Sequence, residues 1–113
     1  MIEKLREYGV DVDTGLSRCM NKEDFYLNLV DRSLKDASFE KLNSALESGD
    51  LDTAFEVAHA LKGVMGNLSL TPIYDPICEI TELLRSRTDM DYSEYMSTIT
   101  TRKDDLIKLC EDK

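Results

Sequence analysis

Residues 59–70 read HALKGVMGNLSL and hold the one histidine of the chain, His59, followed by Lys62 at i+3, Gly63 at i+4 and Gly66 at i+7. On a helix turning about 100° per residue, all three fall within roughly 60° of the imidazole. An exposed histidine on a helix is ordinarily just a tolerated polar residue. Two interior glycines change that reading, because each costs a helix about 1 kcal/mol relative to alanine. Bare backbone one and two turns beyond the ring lets a second protein approach closely. It also leaves space for a bulky group on a ring nitrogen. The Lys62 ammonium can reach such a group. A phosphoryl group brings about −1.5 to −2 charges, which a neighbouring cation stabilises. The chemistry that fits this stripe is a nucleophilic imidazole carrying phosphate.

Phe55 lies one turn before His59 and is a candidate apolar docking contact, with sideways packing against a neighbouring helix as the equal alternative. Asn67 and Ser69 either cap the end of the helix or hydrogen-bond a partner, the capping role being favoured. General-base catalysis by His59 finds no support: there is no G-x-S-x-G or cysteine-linked signature to supply a nucleophile. A metal site is disfavoured as well, because i+3 and i+4 hold Lys62 and Gly63 rather than ligands. No G-x-x-x-x-G-K-[ST] loop is present, so ATP binding and autonomous kinase activity are not expected.

The elements that position the stripe read as helices throughout. Alternating strand patterns and N-G or D-G hairpin dipeptides are absent from the sequence. Residues 1–20 are expected to form short cover helices, one over Ile2 to Tyr8 ending at Gly9 and one from Asp13 or Thr14 to near Asn21. Asn21 is expected to cap a helix carrying Phe25, Leu29, Val30 and Leu34 on one face. Ser38 is expected to cap another, with Phe39, Leu42, Ala45 and Leu46, stopping at Gly49, and these two segments read as one kinked arm. Asp50 caps the helix over about residues 51–68, whose core face is expected to be Ala54, Val57, Leu61, Val64, Met65 and Leu68. Thr71 and Pro72 read as cap and first-turn residue of a helix running to about Arg87, which Pro76 should bend or delay. A last helix from about Asp91 carries Tyr92, Tyr95, Met96, Ile99, Leu106 and Leu109. Amphipathic helices joined by short turns make one all-α domain over residues 1–113, an antiparallel up-and-down four-helix bundle over residues 21–113 with the short N-terminal helices added.

Composition narrows the partners. Lys plus Arg number 14 against 23 Asp plus Glu, a net charge of −9, which argues against nucleic acid and anionic membrane. Cys19, Cys78 and Cys110 lack C-x-x-C spacing, so reduced thiols and a cytoplasmic address are expected. No segment approaches the roughly 18 apolar residues of a membrane span, and the N-terminus lacks a signal-peptide core.

Taken together, Ala58 to Leu68, A-H-A-L-K-G-V-M-G-N-L, resembles the H-x-L-K-G-x-x-G core of the histidine-containing phosphotransfer (HPt) domains of two-component phosphorelays, matching at His59, Leu61, Lys62, Gly63 and Gly66. The preceding L-E-S-G-D-L is similar too, and a fainter likeness covers nearly the whole chain. The chain departs from the pattern at Ser69, where a glycine is frequent, and at Pro76. The resemblance implies a helical bundle whose exposed histidine takes a phosphoryl group from the aspartate of one receiver domain and gives it to another. It makes His59 the phosphoacceptor, through Nε2, with Lys62 steadying the phosphate and Gly63 and Gly66 giving the receiver room. The implied partners are receiver domains of hybrid histidine kinases and response regulators. No cofactor is expected on this chain, Mg²⁺ belonging to the receiver. A free-standing monomeric carrier is expected, the alternative being a helical adaptor that binds a receiver or histidine kinase without phosphotransfer.

Overall fold

The computed structural model describes residues 2–111, which form seven α-helices and no strand. They are α1 (Ile2–Tyr8), α2 (Val12–Arg18), α3 (Glu23–Leu34), α4 (Ser38–Ser48), α5 (Leu51–Asn67), α6 (Thr71–Arg85) and α7 (Ser93–Glu111). Helix α5 packs between α4 and α6, α6 packs on α7, and α7 packs on α3, with α1 and α2 as smaller covers. The body measures 41 × 24 × 21 Å. Its core runs through Leu42, Ala58, Met65, Ile77, Ile80 and Leu106. No disulfide joins Cys19, Cys78 and Cys110. No helix among the described residues is long and apolar enough to cross a membrane.

Local chemistry sets the ends of the central helix. Helix α4 closes at Gly49 in the left-handed region (φ 77°). Asp50 then caps α5, its Oδ1 accepting the Thr53 N–H at 3.1 Å and its Oδ2 the Thr53 hydroxyl at 2.7 Å. These bonds hold the Asp50 carboxyl below the usual carboxylate range. Helix α5 itself ends when Ser69 enters the left-handed region (φ 57°), with its N–H on the Gly66 carbonyl and the Leu70 N–H on that of Met65. That pair of bonds is the Schellman closure, in which glycine is the usual left-handed residue.

Several expectations are corrected. Helix α2 starts at Val12 with Asp11 as its cap. Asn21 does not cap α3: Lys22 precedes the helix in extended conformation without a side-chain bond, and Asn21 is left-handed at φ 58°. Phe25 is 48% exposed, and the neighbouring Tyr26 takes the core position, because its hydroxyl reaches the Leu68 carbonyl at 2.8 Å. Residues 35–37 separate α3 from α4, so the pair is two helices, and Asp36 accepts the Ser38 N–H at 2.7 Å. On α5 the buried face is turned toward Ala58, leaving Val64 42% exposed and Val57 half-buried. Leu70 occupies the cap position of α6, Thr71 and Pro72 are its first residues, and the helix ends at Arg85. Helix α7 begins at Ser93, whose N–H Asp91 accepts at 2.9 Å.

Pro76 sits buried inside α6 without breaking it. Its missing N–H leaves the Pro72 carbonyl without its helical donor. The Arg102 guanidinium of α7 fills that vacancy, donating Nη1 at 2.7 Å.

Candidate functional site

Helix α5 carries His59 on its exposed side, with Lys62 half-buried one turn further on. The two glycines have different surroundings. A Cβ built on Gly63 meets nothing within 4 Å, so this position is open beside the imidazole. A Cβ built on Gly66 would lie 2.9 Å from Cε1 of Tyr74 on α6. The space at Gly66 is therefore used within the molecule.

His59, Lys62, Gly63, Gly66 and Asn67 all border one open concavity of about 520 Å³. Ser69 and Thr71 at the turn into α6 also line it, and Asp11, Thr14 and Arg18 from the α2 region and Tyr74 from α6 complete its walls. Sequence reasoning missed the last four residues, because nothing local to α2 or α6 reports that both reach the end of α5. Arg18 Nη1 donates to the Gly66 carbonyl at 2.5 Å. The Asp11 N–H donates to the Ser69 carbonyl at 3.1 Å, and the Tyr26 hydroxyl to that of Leu68. Three carbonyls at the end of α5 are thus held by residues more than forty positions earlier. This fixes the angle at which α5 presents its exposed face. Around Tyr74, hydrogen bonding with Cys78 holds the hydroxyl above its usual range, while the Arg18 guanidinium acts in the opposite sense.

Phe55 lies outside that concavity, on the other side of the imidazole. Its ring centroid is 5.8 Å from that of His59, tilted by 30°. The guanidinium carbons of Arg85 and Arg87 stand over the same ring, at 5.2 and 4.9 Å from its centroid. Phe55 is therefore a half-buried ring covered by two cations rather than a bare apolar contact. Neither arginine was given a role in the sequence, where Arg87 served only to mark the helix end.

Chemically, the arrangement offers an accessible imidazole, a lysine within one turn and an unobstructed approach over Gly63. Among the described residues no group of three or more His, Cys, Asp or Glu side chains could hold a metal ion. This is an all-helical module with one exposed imidazole on its central helix. The Hpt domain model matches residues 35–109, and the chain belongs to that family. Hpt domains are histidine phosphocarriers of phosphorelay signalling rather than autonomous enzymes, and they work with receiver domains. No curated protein and no solved structure matches the chain at a significant level. The match takes in His59 and α4 to most of α7 but not Asp11, Thr14 or Arg18. Part of the concavity is thus contributed from outside the matched region.

Proposed function

We propose that His59 is the phosphoacceptor of a phosphorelay carrier, receiving a phosphoryl group from the aspartate of one receiver domain and passing it to that of another. The observation that carries this reading is the exposed imidazole beside Gly63, where nothing stands within 4 Å of an added Cβ. In the forward step the Nε2 lone pair forms the N–P bond as the P–O bond to the receiver's aspartate breaks. The bonding electron pair leaves with the aspartate as its carboxylate. The Nδ1 proton stays on the ring or passes to solvent. The return step reverses these changes with a second receiver's carboxylate as nucleophile. Such transfer needs positioning and charge neutralisation more than covalent help from the protein.

Lys62 supplies the neutralising charge one helical turn from the ring. Gly63 admits the receiver's loops, while Gly66 and Asn67 border the approach and Phe55 flanks it. Mg²⁺ belongs to the receiver's own acidic pocket in this reading. The accompanying architecture is a four-helix up-and-down bundle built from the α3–α4 pair, α5, α6 and α7, acting as a cytoplasmic monomer.

The test is incubation with a receiver domain phosphorylated by acetyl phosphate in the presence of Mg²⁺. An acid-labile, base-stable label that disappears in His59→Gln, with an unchanged melting curve, supports the carrier. Binding without any label from several receivers defeats transfer and leaves a helical adaptor.

A further inference from the structure

We propose that Arg85 and Arg87, laid over Phe55 beside His59, select the receiver partners by pairing with carboxylates on the rim of the receiver's phosphoacceptor pocket, outside those that hold Mg²⁺. This rests on the phosphotransfer reading of His59. Three observations carry it.

The first is the backbone of Arg87. Helix α6 ends in the same closure as α4 and α5, the Arg87 N–H donating to the Leu84 carbonyl at 2.9 Å and the Thr88 N–H to that of Leu83 at 3.0 Å. This closure puts Arg87 in the left-handed region at φ 52°, a conformation unfavourable to every residue with a Cβ. At the corresponding place the chain uses Gly49 after α4 and the small polar Ser69 after α5. An arginine here needs a reason beyond closing the helix.

The second is how the side chain is held. Arg87 Nε donates to Asp52 Oδ1 at 2.6 Å and Nη1 to the Leu84 carbonyl at 2.7 Å, while the guanidinium covers Phe55. The Asp52 side chain is 84% exposed, and so open an ion pair adds little stability. What the contacts achieve is a fixed orientation. The Arg85 guanidinium carbon stands over the same ring at 5.2 Å from its centroid, with Nε on Glu82 at 3.3 Å and 51% of its side chain exposed. With Nε and Nη1 engaged, Arg87 keeps Nη2 to donate to a partner carboxylate, and a guanidinium restrained in this way loses little freedom on pairing.

The third is charge. The chain carries −9 overall, and the phosphoacceptor pocket of a receiver is acidic in the transfer reading. An acidic chain is repelled by an acidic pocket unless local cations at the contact supply the attraction. Arg85 and Arg87 place such cations beside Phe55, whose ring centroid lies 5.8 Å from that of His59, each on an exposed carboxylate of this chain, Glu82 and Asp52, with which a receiver carboxylate must share or compete.

The experiment measures transfer from a receiver domain phosphorylated by acetyl phosphate to the parent chain, Arg87→Gly, Arg85→Gln and the double variant. The rate is followed against chain concentration at about 0.1 M and 0.5 M salt. The double variant should need about tenfold more protein for half-maximal rate at the lower salt, with the maximal rate held. The gap should close at the higher salt. Arg87→Gly should melt no lower than the parent, because glycine suits the left-handed position. An unchanged half-maximal concentration overturns the proposal, as does a fall confined to the maximal rate. A lower melting temperature for Arg87→Gly with unaltered transfer makes the arginine a structural brace and also overturns it. Phosphoramidate, a small-molecule donor, separates this failure from that of the underlying reading. If it labels His59 of the parent and the variants transfer normally, only the arginine proposal falls. If neither phosphoramidate nor any receiver labels the parent, both fall.

Discussion

The ring of Tyr74 occupies the space that a side chain at Gly66 would need, while the corresponding space at Gly63 is empty. Two glycines of one helical stripe are therefore bare for different reasons. Gly63→Ala should stabilise the protein by up to about 1 kcal/mol, seen as a rise of a few degrees in melting temperature. It should also slow transfer from a receiver, because the added methyl stands beside the imidazole. Gly66→Ala should gain less, since Tyr74 must move, and that shortfall should shrink in a Tyr74→Ala background. A double-mutant cycle measured by urea unfolding checks the coupling. Equal stabilisation at both positions would show that Tyr74 yields without cost.

Ser69 adopts φ 57° at the closure of α5, where the family pattern favours glycine. Its carbonyl accepts from the Asp11 N–H at 3.1 Å, and a glycine would keep that bond. Ser69→Gly should therefore raise stability by about 1 kcal/mol, against the usual direction of a substitution to glycine. Urea unfolding decides it, and a loss of stability would mean that the serine hydroxyl contributes something the backbone does not explain.

Much of this arrangement was legible in the sequence because it is local. The Asp50 cap, the Gly49 stop and the outward placement of His59 follow from spacing within one helix and its flanks. The errors lie at the edges of a helix face, where the sequence alone does not say which side chain turns inward. Phe25 and Tyr26 are both aromatic, and the choice between them is made by the Leu68 carbonyl, far away in sequence. Val64 and Ala58 both border the apolar arc of α5, and burial of the smaller side chain is settled by how closely neighbouring helices approach. Arg18, Tyr74 and Arg87 were invisible for the same reason. Their roles are set by α2 and α6 meeting α5, which no helical wheel of α5 reports.

Tyr26 is fully buried, and its hydroxyl is the donor to the Leu68 carbonyl. Tyr26→Phe should cost about 1–3 kcal/mol by leaving that carbonyl unpaired. Burial, and then the nearby Cys19 and Asp11, push the hydroxyl well above its ordinary 10.0. Because the folded state resists ionisation, its advantage is complete below pH 10 and is lost as pH rises further. The parent should accordingly lose more stability than Tyr26→Phe between pH 9 and pH 11, as measured by urea unfolding over that range on the order of the phenol titration. Gly15→Ala should be harmful too, since a Cβ there would lie 2.5 Å from Tyr26 Cε1. A cost of about 1–3 kcal/mol is expected, as for other overpacked sites. Parallel alkaline curves for parent and Tyr26→Phe would rule out the buried phenol as the source of the effect.

Pro76 and Arg102 form the pair in which a helix defect and its remedy come from different elements. Proline at residue 76 removes the N–H that would bond the Pro72 carbonyl, and Arg102 Nη1 donates there instead at 2.7 Å. Arg102→Met keeps most of the apolar stem but leaves the carbonyl without this donor, so it should cost about 1–2 kcal/mol. Pro76→Ala restores the helical N–H, and the same Arg102→Met substitution made in that background should cost markedly less. The difference between the two costs, read from urea unfolding of the four proteins, is the coupling between helix defect and guanidinium. Additive effects would show that Arg102 acts through its packing on α6 alone. A positive coupling would explain how α6 runs unbroken through an interior proline and still holds Tyr74 against Gly66 at the edge of the site.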